Sequence, residues 1–296
     1  MGHHYVPQEY LRHFAAKGAS SAIWQFSKKD QSFGSQAIPI RSAAQSPDYY
    51  FQEDEKYLAA NVEAPAQAPL NKLRNSEDLT PDERAHVSAY VQSMMKRGPW
   101  ARRRAKATLA ESFDSWRQKM ISIAPDLERQ YGWPVGEIIE SLEKLWRLVH
   151  EVPISDKSEL IKSQYSTGKI AMSIYCMNWV VVHAGPIGEF VTSDAPAFFT
   201  IGIGLENQEA ELSIPLSTSV ALHASWRGRP CGLEYIAAPT AQIFKELNRR
   251  TVREAVRFVY APTPFGWIPK VSARNEDGWW AIRLRQRKFA PLKVSG

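Results

Sequence analysis

The residues best suited to chemistry in this chain stand in two places. One is the opening stretch His3-His4-Tyr5-Val6-Pro7-Gln8-Glu9-Tyr10-Leu11-Arg12-His13-Phe14, and the other is Ser193-Asp194 within Phe190-Val191-Thr192-Ser193-Asp194-Ala195-Pro196. A neutral imidazole offers a lone pair near pH 7, which suits a metal ligand or a general base. Neighbouring side chains on extended backbone point to opposite faces, so His3 and His4 are poor joint ligands for one ion, and we assign His4 to the site. Asp194 follows a short apolar strand and precedes Pro196, a strand-end position from which a rigid sheet can hold a catalytic carboxylate. A divalent metal bound by His4 and Asp194, with Arg12 and Arg97 gripping phosphate oxygens, would make a metal-assisted phosphodiester hydrolase acting on nucleic acid or a nucleotide. The competing reading is structural: His4 hydrogen-bonds to the fold, and Ser193-Asp194 organises a turn around its own backbone. In that case the chain is a non-enzymatic nucleic-acid- or protein-binding module.

Further polar residues extend either reading. A helix that opens at Pro7 pairs Gln8 with Arg12 and Glu9 with His13 at i,i+4. Gln92 and Arg97 lie on a helix just before Gly98-Pro99, Arg102 follows that break, and Asn248 is a poor helix former inside a helix expected over 240–256. The hydrolase reading makes Gln8, Gln92, Arg97, Arg102, Ser193 and Asn248 substrate contacts. The structural reading makes them buried hydrogen-bond partners or solvated pairs. No Gly-x-Ser-x-Gly elbow, phosphate-binding Gly-x-x-x-x-Gly-Lys-Ser/Thr loop or Gly-x-Gly-x-x-Gly fingerprint occurs.

Taken in order, these segments resemble the bacterial domain-of-unknown-function family 4238. The opening matches its His-His-Tyr-Val-Pro-x-x-Tyr-Leu-Arg-x-Phe pattern. Tyr90 to Arg102 is similar to its Gln-bearing helix with an Arg-Thr-Pro-x-x-Arg signature, although Gly98 stands where threonine is usual. Phe190 to Pro196 is similar to its Phe-Ile-Thr-Ser-Asp-Asn-Pro turn, with Ala195 in place of the common asparagine. Ile214-Pro215-Leu216-Ser217 and Leu247-Asn248 through Tyr260 resemble its Pro-Leu-Ser strand and its helix-to-strand passage. The resemblance implies a bacterial or phage source and implies no reaction.

Composition narrows the class without choosing between the readings. The 296 residues are 44% hydrophobic and 23% charged, an ordinary globular balance. Net charge is +6, from 37 Lys+Arg against 31 Asp+Glu. The excess is clustered at Lys96, Arg97, Arg102, Arg103, Arg104 and Lys106, and again at Arg283, Arg285, Arg287 and Lys288. Such clusters track a phosphate backbone or form a solvated face. No window reaches the roughly 18 apolar residues of a membrane span, and no leader pattern opens the chain, so a cytoplasmic protein is expected. Cys176 and Cys231 are the only cysteines. They read as a scattered pair with neither a disulfide framework nor a zinc motif, which fits a reducing compartment.

The elements that must position these residues follow from pattern. Short strands are expected at 22–26 and around Pro39, and a hairpin from 179–183 to 190–192. Thr80-Pro81-Asp82-Glu83 opens a helix, with Thr80 as cap, Pro81 in the first turn and acids at the positive end. Helices are expected over 53–74, broken by Pro65 and Pro69, and over 101–120, 125–148, 157–177 and 240–256. Strands follow at 219–225, 258–260 and 279–284. The sum is one α+β domain over 1–296, in which N- and C-terminal segments form an antiparallel or mixed sheet and 53–177 is mainly helical.

Overall fold

The computed structural model describes residues 2–47, 52–98, 169–199, 207–237 and 241–273, with a scatter of positions between 118 and 140. The expected helices over 101–120 and 125–148 lie largely outside the described residues. The closing strand over 279–284, the basic residues from Arg102 to Lys106 and those from Arg283 to Lys288 lie wholly outside them.

In chain order the elements are β1 (Gly2–His4), α1 (Gln8–Arg12), β2 (Ala22–Ser27), β3 (Ser32–Phe33), β4 (Ile38–Pro39) and β5 (Gln45–Pro47). The helices α2 (Gln52–Leu58), α3 (Ala64–Arg74), α4 (Pro81–Arg97) and α5 (Lys169–Cys176) follow. The chain then runs through β6 (Asn178–His183), β7 (Thr192–Ser193), β8 (Phe198–Phe199), β9 (Glu211–Pro215), β10 (Val220–Ser225) and β11 (Leu233–Ala237). It continues with α6 (Ala241–Glu254), β12 (Phe258–Ala261) and α7 (Trp267–Ser272).

One sheet has the order β11-β6-β10-β9-β8, antiparallel except for the parallel pair β11–β6. The second has the order β3-β2-β12-β7 with β4 on β2, so strands from the two ends of the described chain share it, as the sequence predicts. A two-stranded ladder, β1–β5, holds the N-terminus. The protein is α+β, with one mixed sheet and two antiparallel ones among the described residues.

Two expectations fail for identifiable reasons. The hairpin from 179–183 to 190–192 does not form. β6 pairs with β10 and β11, while β7 crosses to β12 in the other sheet. Apolar runs specify strand character but not partners, and the Gly185–Ile187 turn between them is a 3-10 segment that redirects the chain. The helical run over 53–74 is not broken at its prolines either. A π-helical turn, Ala59–Glu63, joins α2 to α3 just ahead of Pro65, and this wider winding carries the helix past the missing N–H. Pro69 then forfeits one helical bond, to the Pro65 carbonyl.

The main core packs α1, α3, α4 and α5 on the sheet containing β6, β9 and β10, with Phe14, Leu73, Val87, Val91, Trp179 and Leu222 fully buried. A smaller core of Phe26, Val191, Val252, Val259 and Ile268 lies under the second sheet. Tyr10 of α1 joins the two sheets: its hydroxyl donates to the Pro215 carbonyl of β9 at 2.7 Å and accepts from the Thr192 hydroxyl of β7 at 2.8 Å. The capping box at α4 forms as the sequence predicts, with Thr80 Oγ1 accepting from Glu83 N and Glu83 Oε2 accepting from Thr80 N.

His223 sits in the middle of β10, buried, with Nδ1 3.2 Å from the Ser213 hydroxyl. Burial, with Arg250 and Arg227 adding repulsion, pushes its imidazole down to about 3. The unfolded chain takes up this proton below its ordinary value near 6.5, while the folded chain resists until about 3. Stability is therefore full above that ordinary value and falls as pH drops through this window, by about 3 kcal/mol at pH 4. Urea midpoints at pH 7, 5 and 4 test this. His223→Gln, which does not titrate, is expected to flatten the decline, and an unchanged slope would refute the assignment.

Candidate functional site

The segments that carry the candidate chemistry converge. α4 ends at Arg97, which is 3% exposed, ion-paired with Glu63 and donating from Nη2 to the His4 carbonyl at 2.8 Å. The next residue, Gly98, lies against the Asp194 turn so closely that a Cβ there would stand 3.0 Å from the Asp194 carbonyl oxygen. Threonine at that position would press on backbone rather than on a movable side chain. The same approach links the three motifs: the N-terminal histidines, the end of α4 and the Ser-Asp turn.

Asp194 is the electrostatic centre of the cluster. Its carboxylate is wholly buried, and its two oxygens accept from Val256 N and Arg257 N, each at 2.8 Å. Its own N–H donates to the Phe258 carbonyl at 3.0 Å. These bonds fix the passage from α6 into β12 against β7. Burial pushes the Asp194 carboxyl up, and the amide hydrogen bonds with the nearby Arg257 charge pull the other way. Arg257 also donates to the Tyr5 hydroxyl at 3.0 Å, and Tyr260 accepts Ala44 N at 3.0 Å, so the strip after His4 is held from both sides.

His4 is half-buried. Its Nε2 lies 3.0 Å from the Arg41 carbonyl, which can only accept, so Nε2 carries the proton and Nδ1 holds the lone pair of the neutral ring. Burial pushes its pKa down despite that bond and the nearby Glu55 and Glu63, so the ring is neutral at pH 7. Among the described residues, no three His, Cys, Asp or Glu side chains group in a way that would hold a metal ion.

The remaining predicted residues take the following places. The Ser193 hydroxyl accepts from Ala195 N at 3.1 Å, an ST turn that shapes the Asp194 loop. Gln92 Oε1 accepts from Ala171 N in the first turn of α5. Asn248 spans the inner edge of α6, accepting from Val191 N and donating to the Glu189 carbonyl. Gln8 opens α1, partly exposed. Arg12 lies on the exposed side of α1, with 54% of its side chain accessible, and pairs with Glu9. The expected i,i+4 pairs are thus replaced by one i,i+3 pair, because α1 ends at Arg12 and His13 is its cap. Arg102 lies outside the described residues.

A family model described as a protein of unknown function (DUF4238) matches residues 2–264. The chain belongs to that family. No curated protein and no solved structure matches it. All of the convergent motifs fall inside the DUF4238 match, so the junction of β1, the end of α4 and the Asp194 turn is a feature of the matched region.

Sequence reasoning missed two features of this DUF4238 chain. Glu63, the partner of Arg97, sits in the π-helical turn and carries no signal in its neighbours. On α6, Lys245 and Arg249 are exposed and Arg253 partly so, at i, i+4 and i+8, which places three cations along one helix face about 6 Å apart. That spacing was readable in the sequence. No helix among the described residues is long and apolar enough to cross a membrane.

Proposed function

We propose that this DUF4238 protein is a non-enzymatic nucleic-acid-binding module in which His4, Arg97 and Asp194 are structural. The observation that carries this reading is the state of Asp194: zero exposure, with each carboxylate oxygen occupied by a backbone amide. A metal at that carboxylate would need both a path to solvent and oxygen lone pairs directed away from the amides. Tyr10, wedged between the two sheets, and Arg97, holding the His4 carbonyl, fit the same scaffold role. The contact surface is the basic face of α6, Lys245, Arg249 and Arg253, which can track successive phosphates without reading bases. In the basic run that begins at Lys96, the first two members are buried rather than presented.

Fluorescence anisotropy with labelled single- and double-stranded DNA and RNA tests the proposal. Wild type is expected to bind with a steep salt dependence. The double variant Lys245→Glu/Arg249→Glu is expected to weaken binding by roughly tenfold or more and to reduce the salt slope by about two. Wild type that binds no strand at low salt, or a double variant that binds as wild type does, would refute it.

A second reading rests on His4. Its Nδ1 lone pair, in a ring kept neutral at pH 7, suits a general base or a metal ligand for a phosphodiester hydrolase, with Arg97 adjacent. Cleavage of the same labelled strands in Mg²⁺, Mn²⁺ or Zn²⁺, lost in a folded His4→Ala variant, would favour that reading over the first.

A further inference from the structure

We propose that Cys176 and Cys231 form a redox-active thiol pair, closed by a hydroperoxide into an intramolecular disulfide. The sequence presents them as scattered cysteines, and the fold brings them together. Cys176 is the last residue of α5, and Cys231 lies in the connection between β10 and β11. Cys231 N donates to the Cys176 carbonyl at 2.9 Å, and the two thiols lie close enough to act on each other electrostatically. Backbones joined by such a bond hold their Cα atoms near the separation a disulfide spans, about 5–6 Å. Both thiols are free, Cys231 exposed and Cys176 partly so.

Two features show a built site rather than a chance encounter. Cys231 has φ +57°, a left-handed conformation that costs a residue with a Cβ on the order of 1 kcal/mol, while the neighbouring position is already a glycine. The strained backbone is thus spent on a residue bonded to the other cysteine. Arg84 of α4 binds the segments on both sides of the pair. Its guanidinium donates to the carbonyls of Tyr175 at 2.8 Å, Met177 at 2.7 Å and Gly232 at 3.3 Å. These residues flank the two cysteines, so one buried side chain fixes both segments in place.

The order of events follows from exposure. The Cys231 thiolate attacks the outer oxygen of the hydroperoxide. The O–O bond breaks, the alcohol leaves with a proton, and Cys231 becomes a sulfenic acid. The Cys176 sulfur then attacks the Cys231 sulfur, the S–O bond breaks, and the departing hydroxide takes the Cys176 proton as water. Two thiols and one hydroperoxide give one disulfide, one alcohol and one water, and an external thiol reverses the change. Burial pushes the Cys176 thiol up, which suits the resolving role. The bond would tie the end of α5 to the loop that leads into β11, which among the described residues pairs only with β6.

The test uses the full chain, reduced and then titrated with hydrogen peroxide, read by thiol counting and peptide mass mapping. The expected result is loss of both thiols together, a single Cys176–Cys231 linkage within one molecule, a higher melting temperature, and full reversal by dithiothreitol. Cys176→Ser is expected to stop at a sulfenic acid on Cys231 that dimedone traps. Cys231→Ser, at an exposed position that folding tolerates, is expected to leave Cys176 as thiol. Independent oxidation of Cys231 with Cys176 still titratable in the wild type, linkage only between molecules, or no oxidation in excess peroxide would each overturn the proposal.

Discussion

Asp194→Ala is expected to lower stability by about 3–5 kcal/mol, a fall in melting temperature on the order of 10 °C. The substitution removes both acceptors of the Val256 and Arg257 amides, and Ser193 and Asp194 are fully buried, so on their side of the turn water has no ready path to replace the carboxylate. It also uncouples β7 from the start of β12, two strands that meet over only two residue pairs. Asp194→Asn should recover little: one amide oxygen replaces one acceptor, while the NH₂ group faces the other backbone N–H donor to donor. His4→Ala provides the contrast. It deletes one hydrogen bond to the Arg41 carbonyl and leaves the His4 carbonyl in place for Arg97, so a loss near 1 kcal/mol is expected. Urea denaturation of the three variants decides the matter. An Asp194→Ala protein as stable as wild type would mean the carboxylate is not holding the turn, and would return it to the list of groups available for chemistry.

That contrast also shows what a sequence can and cannot carry. Ser193-Asp194 before Ala195-Pro196 announces a turn because short polar side chains bond their own backbone, and Ser193 does so. Asp194 goes further and bonds a segment more than sixty positions away, and no local pattern encodes that choice. The Thr80 cap, α6 and the strand at 258–261 were legible because capping and periodicity are local. Partner choice was not. The apolar run of β6 is buried along almost its whole length and could pair on either side, and it takes β10 on one side and the unforeseen β11 on the other. The cysteine pair was invisible for the same reason, since its proximity depends on the β11–β6 register and on Arg84.

Arg84→Ala is the second large effect expected, about 3–4 kcal/mol. Arg84 is 5% exposed, and among the described residues no carboxylate faces it in an ion pair; its partners are three carbonyls and the rings of Trp179 and Tyr175, with centroids 3.9 and 5.7 Å from the guanidinium carbon. The Gly232 carbonyl keeps a second donor, Trp179 N, so its loss is tolerable. The Tyr175 and Met177 carbonyls sit where α5 ends and β6 begins, a point at which helical donors have run out, and they lose their partner outright. Removing the side chain also opens a gap against Trp179, one of the largest fully buried residues. Arg84→Lys keeps the charge but offers a single compact donor group in place of a planar fork, and cannot stack on the indole in the same way, so it should restore less than half of the loss. Hydrogen exchange adds a local readout: Trp179 N and Cys231 N, protected by bonds to Gly232 and Cys176, should exchange faster in Arg84→Ala while the β9–β10 amides stay protected. Stability within about 1 kcal/mol of wild type, or uniform loss of protection across the sheet, would show that the clamp is not Arg84.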